Sequence, residues 1–142
     1  MRISDVLRSK GAAVATVEPG TSVSDLLRRM AERNVGAMVV VGPDGMAGIV
    51  SERDVVRKLN QHGPNLLGMP VSAIMTTTVA SCGPEDSVDH LSALMTERRI
   101  RHVPVLVDGA LVGIVSIGDV VKIRMEELEL NREQLQAYIS QG

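Results

Sequence analysis

The order of apolar and polar positions along the chain occurs twice, and each copy predicts the same five elements. A short apolar segment precedes a stretch whose apolar residues recur three, four and seven positions apart, which predicts a strand and then an amphipathic helix. Two apolar runs joined by a turn with Gly and Asp predict a β-hairpin, and a further helix begins at the serine that follows. The predicted order is therefore β-α-β-β-α, twice. The predicted segments are strands 14–17 and 79–82, helices 22–34 and 87–99, hairpins 37–41 with 46–50 and 102–107 with 110–115, and short opening helices 3–8 and 71–75.

The two copies are related residue by residue as well as by pattern. At an offset of 65 positions, residues 16–58 align with residues 81–123 without a gap and are identical at 15 of 43 positions. A unit of about 60 residues buries little surface by itself, so we predict that the copies pack face to face about a pseudo-two-fold axis. The predicted fold class is α/β (α+β), with a first repeat at residues 1–62, a second at 63–124 and a C-terminal helical extension at 125–142.

The residues after each hairpin carry a signature of small and apolar residues, a serine and, three positions later, an aspartate. It reads Gly48-Ile49-Val50-Ser51 with Asp54, and Gly113-Ile114-Val115-Ser116 with Asp119. Together with the strand entry Arg101-His102-Val103-Pro104-Val105, this pattern resembles a stand-alone tandem pair of CBS domains, the family named after cystathionine β-synthase. The first copy departs from that strand entry and reads Gly36-Ala37-Met38. The resemblance implies a regulatory module that binds AMP, ADP, ATP, S-adenosylmethionine or NAD in clefts between the repeats.

The resemblance also implies which side chains meet such a ligand. Asp54 and Asp119 would accept hydrogen bonds from ribose hydroxyls, and Ser51 and Ser116 would contact phosphate or sugar. The residues implied to line the clefts are Thr16, Val17, Met38 and Val39 in one, and Ser81, Cys82, Val103 and Pro104 in the other. The cationic candidates beside a phosphate are Arg53, Arg101 and His102. Each signature serine stands at a predicted helix start, where free backbone N–H groups favour a phosphate.

A second interpretation of the Ser-x-x-Asp signature needs no ligand. Serine at a helix start with an acidic residue three positions later also resembles a capping box, with Asp in place of Glu or Gln. Cys82 is more typical of a small buried hydrophobe than of a nucleophile, because no base is identifiable beside it. His62 and His90 are predicted to lie at the surface, and the arginine clusters at helix ends, such as Arg98-Arg99, to face solvent.

Composition and charge narrow the classes of function. Apolar residues make up 44% and charged residues 23% of the 142 residues, as in ordinary globular proteins. A net charge of −2 and an aromatic content of 1% argue against nucleic-acid binding, which needs a basic field or stacking platforms. The sequence shows no nucleophile–base pair, metal-ligand spacing or usual phosphate loop, so we predict that the protein is not an enzyme and requires no cofactor. The single cysteine and the absence of a long apolar run predict a cytoplasmic protein without a membrane span.

The last helix is predicted to extend beyond the second repeat, from Ser116 to about residue 140. Its apolar positions form a heptad-like stripe that Arg132 interrupts. The stripe consists of Val121, Met125, Leu128, Leu135 and Ile139. It can pack on its own repeat, remain a solvated tail or pair with a second chain. Because the resemblance implies dimers formed through helices, we predict a homodimer.

The predicted function is a regulatory module that senses an adenosyl ligand and signals to an unidentified effector protein. The alternative is a ligand-free module whose empty clefts leave it to serve dimerisation or partner docking. Stabilisation by a ligand distinguishes the two, since only a protein that binds the ligand in its folded state gains stability from it.

Overall fold

The computed structural model describes residues 1–141 and has the mixed α/β fold that the sequence predicts. The first repeat contains α1 (Ile3–Lys10), β1 (Thr16–Val17), α2 (Val23–Arg33), β2 (Ala37–Gly42), β3 (Gly45–Ser51) and α3 (Glu52–His62). Two 3-10 turns, Gly63–Gly68 and Val71–Ala73, lead to α4 (Val88–Arg98), β4 (His102–Val107), β5 (Ala110–Ser116) and α5 (Ile117–Gln141). The second of these turns stands where the sequence predicted an opening helix at 71–75.

The two sheets differ by one strand. In the first repeat the parallel strand β1 joins the antiparallel hairpin of β2 and β3, whereas the second sheet contains only β4 and β5. The predicted strand at 79–82 is therefore wrong, and only Cys82 forms an isolated bridge to Val105. The reason is Pro104. Its counterpart Val39 donates its backbone N–H to the Ala15 carbonyl at 3.2 Å, and proline has no N–H to donate.

Each hydrophobic core takes in side chains from outside its own repeat. The second core includes residues of α1, and the first core includes residues of the segment that follows α3. Ile3 and Val6 of α1 are buried among the apolar side chains of the second repeat. Leu66 and Ile74, which follow α3, are buried in the core of the first repeat. The backbone N–H of Ile3 also donates to the Asp86 carbonyl at 2.9 Å. The repeats are therefore interleaved, so a site between them has both of its walls held by buried packing.

Helices α2 and α4 begin alike and end in the same unusual backbone conformation. Ser22 and Ser87 cap their first turns by accepting hydrogen bonds from backbone N–H groups at 3.1 and 3.0 Å. The helices end at Asn34 and Arg99, which have φ angles of 53° and 55°. Asparagine adopts this left-handed region readily and arginine does not, so Arg99 carries a conformational cost of about 1 kcal/mol. That strained residue borders the site described next.

Candidate functional site

A cavity of about 380 Å³ lies where the junction of β3 and α3 faces the second repeat. Its volume falls within the roughly 300–1,000 Å³ typical of small-molecule sites. The lining residues are Ala37, Ile49, Ser51, Arg53, Asp54 and Arg57 on one side, and Thr76, Thr78, Val79, Ala80 and residues 98–102 on the other. Neither repeat encloses this space by itself, so the site exists only when the two are packed together.

The Asp54 carboxylate stands at the start of α3, where one of its oxygens belongs to the helix cap. Asp54 Oδ2 accepts hydrogen bonds from the backbone N–H of Ser51 at 2.9 Å and from Ser51 Oγ at 3.2 Å. The capping-box interpretation of this pair is therefore confirmed. The other oxygen, Oδ1, accepts a hydrogen bond from the Thr76 hydroxyl at 3.1 Å. Since that donor is a neutral hydroxyl, a ligand hydroxyl can replace it, and the cap leaves Asp54 able to bind.

Five arginines line the cavity against a single carboxylate, that of Asp54. They are Arg53, Arg57, Arg98, Arg99 and Arg101. Arg53 Nη1 donates to the Arg99 carbonyl at 2.8 Å and so joins α3 to the end of α4. Guanidinium groups bind phosphate oxygens through paired, charge-assisted hydrogen bonds. The cavity therefore combines an acceptor for hydroxyl groups with a positive field that suits an anion.

Three of these arginines are absent from the site predicted from sequence. Arg98 and Arg99 are exposed, as predicted, but they also border the cavity, and Arg57 joins them from α3. The signal in the sequence was the run Arg98-Arg99 with Arg101, which by itself is also typical of a solvated helix end. Only the packing of the end of α4 beside the start of α3 shows that these charges converge.

His102 lies at the cavity as a neutral ring rather than as the cation expected from sequence. Burial lowers the pKa of its imidazole below the ordinary 6.5, and the adjacent Arg101 charge lowers it further. Glu52 and Asp119 oppose this effect, but they do not reverse it. At neutral pH the positive charge of the site therefore comes from the arginines.

The remaining residues predicted to line the clefts do not border this cavity. Val17, Met38, Val39, Cys82, Val103 and Pro104 are buried, and Thr16 and Ser81 are exposed. Burial raises the pKa of the Cys82 thiol to about 11, with a smaller contribution from the charge of Asp86. This result confirms the interpretation of Cys82 as a buried hydrophobe. For all eight residues, Cys82 included, contact with a ligand stays a prediction.

The comparison with family models decides what this fold and signature represent. Residues 3–61 and 71–126 each match the CBS domain. The chain belongs to the CBS domain family. This CBS pair is 39% identical over 149 residues to the mitochondrial CBS domain-containing protein CBSX3 of Arabidopsis thaliana, and the alignment covers 99% of the chain and 72% of that protein.

Solved structures share the fold of this CBS pair. The CBS-domain containing protein ATU1752 of Agrobacterium tumefaciens has a TM-score of 0.84 and 41% identity, with 87% of this chain and 92% of that chain covered. The CBS domain pair of protein MJ0100, solved in complex with 5′-methylthioadenosine and S-adenosyl-L-methionine, has a TM-score of 0.79 at 24% identity. That match covers 89% of this chain and 98% of the MJ0100 pair, and it is a likeness of fold.

The second signature aspartate of the CBS pair has different neighbours. Asp119 Oδ2 accepts hydrogen bonds from the Ser116 backbone N–H at 2.8 Å and from Ser116 Oγ at 3.0 Å, and it also meets Lys10 Nζ at 2.7 Å. Burial by itself would raise the pKa of Asp119, but the hydrogen bonds and charge of Lys10, together with those from Ser116, outweigh it and lower the pKa. The predicted residues that meet at the cavity are Ser51, Arg53, Asp54, Arg101 and His102, whereas Ser116 and Asp119 lie outside it.

The described part of the chain, residues 1–141, contains no helix with both the length and the apolar character needed to cross a bilayer. Within the same residues, no three or more His, Cys, Asp or Glu side chains are grouped so that they could hold a metal ion.

Proposed function

We propose that this CBS pair is a regulatory module that binds an adenosine-containing ligand with a phosphate tail at Asp54 and signals its presence to a partner protein. The observation that carries this proposal is the combination of one carboxylate with five arginines around a 380 Å³ cavity. The carboxylate suits the two hydroxyls of a ribose, and the arginines suit phosphate oxygens. AMP, ADP, ATP and NAD are therefore favoured over S-adenosylmethionine, whose sulfonium and ammonium groups are positive.

The apolar part of the lining suits the adenine ring. Ile49, Val79, Ala80 and Ile100 border the cavity. Aliphatic side chains hold a flat base by dispersion, through many weak contacts that add up. The MJ0100 pair was solved with two adenosyl ligands, which supports the adenosyl class for this fold. The preference for phosphate rests on the arginines of this chain.

The position of the cavity between repeats supports a role in signalling. Arg53 lies on α3 and Arg99 at the end of α4, and both face the same space. A phosphate bound by both favours the arrangement of repeats in which both can reach it. A ligand shifts a conformational equilibrium only through such differential contacts. A partner that docks on one arrangement would thereby sense the ligand.

A thermal-shift panel of AMP, ADP, ATP, NAD and S-adenosylmethionine tests the proposed function. A ligand present at about 100 times its Kd stabilises the fold by roughly 2.7 kcal/mol. For a chain of this size, that raises the Tm by about 5 °C or more. We expect the nucleotides to raise the Tm and S-adenosylmethionine to have little effect. The proposal is contradicted if no ligand raises the Tm and mass spectrometry finds no nucleotide released from the denatured protein.

Helix α5 favours self-association as a second function. The side chains of its predicted stripe are between 49% and 68% exposed, so they do not pack on their own repeat. These side chains are Val121, Met125, Leu128, Leu135 and Ile139. We propose that they pair with the same helix of a second chain, because a heptad-spaced stripe matches an identical partner. If the clefts bind no ligand, dimerisation would itself be the function, which is the alternative stated for the sequence.

Ending the chain after Arg124 is expected to convert a dimer into a monomer, because it removes four of the five stripe residues. Light scattering coupled to gel filtration measures the mass of both forms. Leu128→Glu should act like the truncation. Leu130→Glu is the matched control, since Leu130 is 54% exposed on the same helix but lies off the stripe. A full-length chain that is monomeric at high concentration contradicts the dimer.

We further propose that the protein is not an enzyme and acts in the cytoplasm. The charged groups of the cavity suit binding, and they include no activated nucleophile. Turnover of ATP or S-adenosylmethionine by the purified chain would contradict the first statement. Microscopy of a tagged chain tests the cytoplasmic location. This test is needed because the Arabidopsis relative is named as mitochondrial.

A further inference from the structure

We propose that Lys10 closes the second cleft of this CBS pair, so that each chain takes up one adenosine ligand, at Asp54. This inference rests on the proposed function and adds to it the number of ligands and the residue that sets that number. The two signature aspartates are equivalent in the internal repeat, but their contacts differ.

In the first repeat, the neighbour of the signature aspartate is Thr76. Its backbone N–H donates to the Ile49 carbonyl at 2.8 Å, and its hydroxyl donates to Asp54 Oδ1 at 3.1 Å. Both donors are neutral, and the residue borders the cavity. A ribose hydroxyl can therefore replace the threonine hydroxyl on the carboxylate, exchanging one neutral donor for another.

In the second repeat, the ammonium group of Lys10 contacts the corresponding carbonyl and the corresponding aspartate, but on the carboxylate oxygen that also accepts from Ser116. Lys10 Nζ donates to the Ile114 carbonyl at 2.8 Å and to Asp119 Oδ2 at 2.7 Å. The side chains of Lys10 and Asp119 are only 29% and 21% exposed. Lys10 and Asp119 are opposite charges that are largely buried, so a neutral ribose hydroxyl that displaced Lys10 would leave the ammonium group without its partner. Displacing the Thr76 hydroxyl from Asp54 separates no pair of charges.

The position of Lys10 is set by a packed helix rather than by a free tail. Leu7, one turn earlier in α1, lies directly on β5, because a Cβ atom added to Gly113 would stand 2.6 Å from Leu7 Cδ2. Ile3 and Val6 of the same helix are buried in the second core. The ammonium group is therefore held at Asp119 by the folding of α1 onto the second repeat.

The residues that the repeat offset places around Asp119 carry fewer positive charges than those around the Asp54 cavity. Shifting the five arginines by the repeat offset of 65 gives the residues that take their places. Gly118 corresponds to Arg53, Lys122 to Arg57, Arg33 to Arg98, Asn34 to Arg99 and Gly36 to Arg101. Three of the five positions thus carry no charge. A phosphate tail would therefore be held more weakly there, so an AMP that binds at Asp119 once Lys10 is replaced should have a higher Kd than the AMP at Asp54.

Calorimetric titration of the full chain with AMP tests this inference through the number of molecules bound. We expect one AMP per chain for the wild type and two for Lys10→Met, which keeps most of the stem but removes the charge. Lys58→Met is the matched control, since Lys58 makes no ion pair among the described residues, and should bind one. If Lys10→Met destabilises α1, Lys10→Gln takes its place in the test, and it should also bind two molecules of AMP per chain.

A double variant separates this inference from the proposed function. Asp54→Ala alone should bind AMP about 100-fold more weakly than the wild type, and adding Lys10→Met should give a chain that binds one AMP, now at Asp119. Two AMP per wild-type chain, or one per chain in folded Lys10→Met and Lys10→Gln, overturns the closure by Lys10. A wild type that binds none overturns the proposed function instead. In that case, gain of one AMP in Lys10→Met still supports the closure, and no gain overturns it.

Discussion

Replacing Asp54 by Ala is expected to lower the affinity for the favoured nucleotide by about 100-fold. The reason is the loss of the carboxylate that accepts hydrogen bonds from the ribose. Two hydrogen bonds to a charged group contribute about 1.5 kcal/mol each, and every 1.4 kcal/mol is tenfold in Kd. Titration calorimetry with the nucleotide that gives the largest thermal shift measures the change. The effect should be similar for AMP and ATP, since both carry the same ribose.

The control for this variant must separate binding from the helix cap. Asp54 also completes the capping box of α3 with Ser51, so its loss costs about 1 kcal/mol of stability as well. Ser22→Ala removes a cap of similar value from α2, where Ser22 Oγ accepts from the Asp25 N–H at 3.1 Å. It should lower the Tm comparably and leave the affinity unchanged. An Asp54→Ala chain that binds within threefold of the wild type shows that the ligand site is elsewhere.

Replacing Arg99 by Asn is expected to change stability and affinity in opposite directions. Arg99 occupies the left-handed region with a φ of 55°, a conformation that costs an arginine about 1 kcal/mol and suits asparagine. The variant should therefore melt roughly 2–4 °C higher than the wild type. It also loses one charge from the cavity, and a charge-assisted hydrogen bond of about 1.5 kcal/mol corresponds to a tenfold weaker Kd for ATP.

The reciprocal variant Asn34→Arg is the matched control. Asn34 ends α2 with a φ of 53° and does not border the Asp54 cavity. Its replacement should lower the Tm by a similar amount and leave the affinity for ATP as it is. If Arg99→Asn raises the Tm without weakening ATP binding, the Arg99 side chain does not contribute to binding the phosphates of ATP. A lower Tm would instead show that the Arg99 side chain stabilises the fold.

Local patterns in the sequence were sufficient for the elements whose bonds are local. The caps at Ser22 and Ser87 involve residues three positions apart, and both hairpins pair neighbouring runs. The predicted strand at 79–82 failed because its bonds are not local. A strand pairs only if its neighbour can donate and accept backbone hydrogen bonds, and Pro104, on β4, has no N–H to donate. Residues 79–82 are equally apolar whether or not a strand that can pair with them is present, so their pattern alone does not show that the pairing is missing.

The sequence by itself determined the duplicated unit and most of its elements, because identities at a fixed offset and periodic apolar positions are properties of the chain alone. The Ser-x-x-Asp signature carried the resemblance to the family. Only the tertiary structure decided which charges meet. Five arginines border the same cavity as Asp54 because the end of α4 packs beside the start of α3. Lys10 reaches Asp119 across 109 positions because α1 folds onto the second repeat. Two aspartates with the same signature thus have different neighbours, a threonine hydroxyl at Asp54 and a lysine ammonium group at Asp119, because groups close in space lie far apart in the chain.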